Sequence, residues 1–92
     1  MARYGAREIG RLDTTYTSDL GKLTWEWVIK PDGRVLYRLS HINGRPERND
    51  WRELYRLSPT ERWEISADST KAADLLARLA RDRGHHLDSN HH

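Results

Sequence analysis

From residue 23 to residue 40, apolar and polar side chains alternate on both sides of the segment Pro31-Asp32-Gly33. A period-2 pattern interrupted by turn residues predicts a β-hairpin. Pro31 pre-sets the first turn torsion, and Gly33 accepts the left-handed conformation that a three-residue hairpin loop needs. The register then places Glu26 opposite Arg38, Val28 opposite Leu36 and Lys30 opposite Arg34 on one face. Trp25 with Leu39, Trp27 with Tyr37 and Ile29 with Val35 make up the other. One face is therefore aromatic and aliphatic, and the other carries an opposite-charge pair. Val28 and Leu36 are expected as a small apolar spot exposed on the charged face. His41, at the strand end, is expected beside Leu23.

Residues 7–17 predict a preceding strand, in which Thr14, Thr15, Tyr16 and Thr17 favour the extended chain. With Ser18-Asp19-Leu20-Gly21 as the turn, Tyr16 pairs with Leu23 and Leu12 with Trp27. The same register sets Asp13 against Glu26, an unfavourable pair. Asn43-Gly44 and Pro46 mark residues 41–50 as a loop or wide turn.

Two patterns compete over residues 51–66. Trp51, Leu54 and Tyr55 have helical spacing, Asp50 with Glu53 resembles a capping box, and Ser58-Pro59-Thr60-Glu61 is able to start a helix. A second hairpin turning at 58–61 places Leu57 opposite Trp63, Tyr55 opposite Ile65 and Arg56 opposite Glu64. That pairing repeats the logic of the first hairpin, and it is the reading adopted, although Glu61 then occupies a position that prefers glycine. Residues 70–83 predict a helix: Ala72, Leu75, Leu76, Leu79 and Ala80 form one stripe, Asp68 or Ser69 caps the start and Gly84 stops it.

The expected fold is α+β, an antiparallel β-meander of four to five strands with one C-terminal α-helix packed on its aromatic face. Residues 1–84 form one domain, and the His-containing tail 85–92 is expected to fray.

Composition narrows the chemistry. The 92 residues include four Trp, four Tyr, no Phe and no Cys. Disulfides, thiolate zinc sites and thiol nucleophiles are thereby excluded. The sequence carries neither a nucleophile-elbow motif nor a phosphate-binding glycine loop nor a dinucleotide fingerprint, so no enzymatic activity and no cofactor is expected. His85, His86, His91 and His92 offer imidazoles, yet a frayed tail lacks the fixed geometry a metal site requires. The chain shows no signal-peptide pattern and no apolar run of about 18 residues, so a cytoplasmic protein that does not span a membrane is expected.

Sixteen basic residues, thirteen of them Arg, are interleaved with fourteen acidic ones, for a net charge of +2. That mosaic lacks the one-sign stripe of a phosphate-binding surface. Arg and Trp are nonetheless the residue types enriched at binding hot spots. They concentrate in residues 44–52, which makes Arg45, Arg48, Trp51 and Arg52 the candidate partner-binding residues. The expected function is a small regulatory or adaptor module that binds another protein. The alternative is a nucleic-acid-binding module using Arg and the sheet, and an exposed edge strand also permits a homodimer.

Overall fold

The turn at Pro31-Asp32-Gly33 closes as the sequence predicts. Lys30 N–H donates to the Arg34 carbonyl at 2.9 Å, and Gly33, at φ +95°, donates to Lys30 at 2.9 Å. Asp32 Oδ1 accepts from the Arg34 backbone N–H at 3.0 Å and pins the turn from the outside. The computed structural model describes residues 8–85. Strand β1 (Gly10–Ser18), β2 (Gly21–Ile29) and β3 (Arg34–Ile42) form an antiparallel meander. The short β4 (Arg45–Pro46) and β5 (Arg52–Arg56) both pair with β3. Helices α1 (Pro59–Ala67) and α2 (Ser69–Asp82) follow. The fold is α+β, with α2 lying over the aromatic face of the sheet.

The β2–β3 register from Trp25–Leu39 to Ile29–Val35 is the one read from the alternation, and so is the β1–β2 register, Asp13–Glu26 included. The acidic clash is resolved by Arg11. Its guanidinium hydrogen-bonds Glu26 and lies 3.5 Å from Asp13, while Arg38 Nε donates to Glu26 Oε1 at 2.8 Å. Partial burial pushes the Glu26 carboxyl up, but hydrogen bonds from Arg38 and Arg11 outweigh it and hold the group below its ordinary value.

Three expectations are corrected. His41 faces Thr24 rather than Leu23, because a bulge places Ser40 as an extra residue between the pairs Trp25–Leu39 and Thr24–His41. The Ser40 hydroxyl repairs the interrupted ladder by donating to the Thr24 carbonyl at 3.1 Å. Val28 and Leu36 are not an exposed spot but are 1% and 9% exposed. Val28 pairs with Arg11 and Leu36 with Glu53, and the adjacent Glu26–Arg38 pair shares their face.

The second hairpin does not form. Residues 52–56 are extended, but they pair with β3, so Tyr55 faces Val35 and Arg56 faces Arg34 instead of Ile65 and Glu64. Residues 59–67 are helix α1, opened by a full capping box: Ser58 Oγ accepts from Glu61 N–H at 3.1 Å, and Glu61 Oε1 accepts from Ser58 N–H at 2.9 Å. Pro59 in the first turn, with φ already fixed, completes the start signal. Trp63, expected inside a sheet, is therefore 71% exposed on α1. Asp68 joins the helices, its backbone capping the end of α1 and its carboxylate accepting from Thr70 N–H at 3.0 Å to start α2.

The core joins Trp27, Ile29, Val35 and Tyr37 of the sheet to Leu57, Ile65, Leu75, Leu76 and Ala80. Trp27 and Tyr37 stack across the β2–β3 ladder at 5.1 Å, and Trp25 stacks on Tyr37 at 5.7 Å. Burying Trp27 alone removes on the order of 200 Å² from water, a gross gain of about 5 kcal/mol. α2 approaches β1 so closely that a Cβ on Gly10 would stand 2.7 Å from Ala72 Cβ. His85 is docked against the aromatic face, and the rest of the expected tail, 86–92, lies outside the described residues, as do residues 1–7.

Candidate interaction surface

The segment from β3 to β5 is bound to the sheet at several points. Asn43 and Gly44, at φ 53° and 83°, form a tight turn with positive φ at both central residues. The Asn43 side chain ties that turn to the next one, accepting from Lys22 N–H at 2.9 Å and donating to the Leu20 carbonyl at 3.3 Å. Glu47 N–H donates to the Ser40 carbonyl at 2.8 Å, and Asn49 Nδ2 donates to the Leu39 carbonyl at 2.9 Å. The Arg38 guanidinium lies 4.3 Å from the centre of the Trp51 ring. These contacts hold the loop in one arrangement against the sheet.

The four candidate residues take different positions. Trp51 is half-buried beneath Arg38, so its ring is part of the scaffold on one side. Arg45, on β4, and Arg48 are exposed. Arg52, at the start of β5, is exposed and lines a cleft of about 320 Å³ with Trp25, Arg38, Leu39, Asn49 and Asp50. Among the described residues, Arg45, Arg48 and Arg52 make no ion pair, whereas Arg11, Arg34, Arg38 and Arg56 each have a carboxylate within reach. Segment 45–52 thus carries three exposed guanidinium groups without an ion pair, interspersed with Glu47 and Asp50, and of the three Arg52 lines the cleft.

The cleft has a mixed lining. Trp25 and Leu39 supply apolar surface, while Asn49, Asp50, Arg38 and Arg52 supply hydrogen-bonding groups of both signs. Trp25 Nε1 is buried with no acceptor. Sequence reasoning missed Trp25, Leu39 and Asn49 as parts of this surface. Asn49 lay within the loop singled out by composition, but nothing in the local pattern ties it to Leu39.

A second groove, of about 360 Å³, runs between α1 and α2 over Ile65 and Leu75. Its walls set Glu61, Glu64 and Asp74 among Lys71, Arg78 and Arg81, so its charges are internally balanced. Glu61 is also committed to structure. Hydrogen bonds from the Ser58 backbone and the Tyr55 phenol hold its carboxyl below the ordinary value.

Base stacking on the sheet would need open aromatic rings, but Trp27 and Tyr37 are buried, Trp25 and Tyr55 are half-buried, and Trp63 stands apart on α1. Among the described residues, no three His, Asp or Glu side chains converge as metal ligands, and no helix is long and apolar enough to cross a membrane. Comparison of the chain with protein-family models, with characterised proteins and with solved structures found no match.

Proposed function

We propose that this domain is a non-enzymatic adaptor or regulatory module of the cytoplasm that binds another protein through the loop between β3 and β5. The observation that carries the reading is the exposed set Arg45, Arg48 and Arg52, without ion pairs among the described residues, on an ordered segment of which Arg52 lines the Trp25–Leu39 cleft. Such an arrangement suits a partner segment with an apolar side chain for the cleft and flanking carboxylates for the guanidinium forks. The cysteine-free sequence is in keeping with a reducing compartment.

The charge pattern favours protein over nucleic acid. On the face opposite the helices, Glu26 lies between Arg11 and Arg38, and Glu53 pairs with Arg56, which breaks up any continuous cationic track. The test is capture of partners from native lysate with and without nuclease. The reading expects a protein retained after nuclease treatment and released by Arg48→Ala/Arg52→Ala. Retention that depends on nucleic acid, or that survives the double substitution, overturns it.

A further inference from the structure

The C-terminal end of α2 does something its amphipathic stripe does not require. Beyond Asp82 the chain turns back onto the sheet and lays two basic side chains on the aromatic face. The Arg83 guanidinium lies 4.9 Å from the Tyr37 ring centre and donates to the Tyr37 hydroxyl at 2.9 Å. The His85 imidazole enters a recess between three rings. It stands edge-on to Trp25 and Trp27 at 5.2 and 5.1 Å, inclined by 73° and 82°, and stacks with Tyr16 at 5.8 Å. Its Nδ1 lies 3.1 Å from the Thr14 hydroxyl oxygen, which also accepts from Trp27 Nε1 at 2.9 Å.

The faces of Trp and Tyr rings carry negative potential, and walls of such rings are the common receptor for organic cations and guanidinium groups. We propose that the face formed by Tyr16, Trp25, Trp27 and Tyr37 is a binding site for basic side chains, filled in cis by Arg83 and His85. An arginine-bearing segment of a partner protein enters the site by displacing them.

Three features support displacement. The segment lies past the last residue of α2, while Leu76 and Ala80, each 0% exposed, anchor the helix upstream. Release therefore leaves the helix packed. Gly84, at φ +85°, is exposed and has nothing within 4 Å of the position a Cβ would take, so it provides a swivel. Among the described residues, release gives up two backbone bonds, Gly84 N–H to the Arg81 carbonyl and His85 N–H to the Ala80 carbonyl, both at 2.9 Å, together with the side-chain bonds to Tyr37 and Thr14. Local openings of this kind draw on the low end of a domain's stability. Trp25 belongs to both the recess and the neighbouring cleft.

The experiment titrates the full chain with two probe peptides, acetyl-Gly-Arg-Gly-His-Gly-amide and its Glu-for-Arg, Glu-for-His counterpart. The indole N–H signals of Trp25 and Trp27 are followed by NMR. Removing the cis occupants raises the competent fraction, so Arg83→Ala/His85→Ala is expected to bind the basic peptide at least about tenfold more tightly than the natural chain. The acidic peptide is expected to bind neither, and adding Trp25→Leu abolishes the gain. If the double variant fails to fold, His85→Ala alone must show the gain. Equal affinity in natural chain and variants, equal response to both peptides, or a gain that survives Trp25→Leu overturns the proposal.

Discussion

The Thr14 hydroxyl accepts the indole N–H of Trp27 at 2.9 Å, in a place where Trp27 is fully shielded from water and Thr14 is 1% exposed. Burying a tryptophan at the centre of so small a core is costly unless its one polar atom finds a partner there. β1 supplies that partner. Its register sets Leu12 opposite Trp27 and brings Thr14 two residues along the same face.

Thr14→Val keeps the shape and removes the acceptor. It is expected to cost about 1–3 kcal/mol in urea denaturation, because the Trp27 N–H is left buried and unpaired. Thr14→Ser keeps the oxygen and is expected to lose less. Equal stability of the valine variant and the natural chain would show that the hydrogen bond is replaceable.

Glu26 makes the fold acid-sensitive. Its carboxyl is held below the ordinary value in the folded state by Arg38 and Arg11, against the opposing effect of burial. The unfolded chain therefore takes up a proton at higher pH than the folded one. The stabilisation is complete above the ordinary carboxylate value of about 4.3 and is lost as pH falls through the lower folded value. Glu26→Gln is expected to lower the melting temperature at pH 7 and to narrow its gap from the natural chain at pH 3. A constant gap across that range contradicts this role.

Ser58→Ala removes one half of the capping box of α1 and is expected to cost about 0.5–2 kcal/mol. Thermal or urea melts read the loss directly. Had residues 58–61 been a hairpin turn, the same change would have been close to neutral.

That contrast shows why part of the fold was legible in the sequence and part was not. The β2–β3 hairpin announces itself because two strands of strict alternation meet at Pro31 and Gly33, and a one-residue slip would turn Trp25 and Trp27 to the wrong face. α2 is equally readable, since Ala72, Leu75, Leu76 and Ala80 are all buried. α1 buries only Ile65, so it has almost no helical stripe to detect. Over so short a stretch, Leu57, Trp63 and Ile65 imitate a strand alternation equally well. The deciding signal was local: Ser58, Pro59 and Glu61 satisfy the helix start, whereas Glu61 fits poorly in a left-handed turn.

Composition pointed to the candidate loop but not to its geometry. Arg45, Arg48 and Arg52 are visible as a cluster of Arg in a turn-rich segment. The apolar half of the cleft comes from Trp25 and Leu39, outside that segment and brought there by the sheet. The docking of His85 was hidden for a different reason. Its three aromatic neighbours lie on β1 and β2, and the residues around His85 itself carry no pattern that points to them.

The most direct test of the interaction surface places a photo-reactive amino acid at Arg48 in one variant and at Asp19, in the β1–β2 turn, in another. Illumination in native lysate is expected to cross-link a discrete protein from position 48, with or without nuclease, and none from position 19. Cross-links to nucleic acid alone, or the same protein captured equally from both positions, would contradict the account.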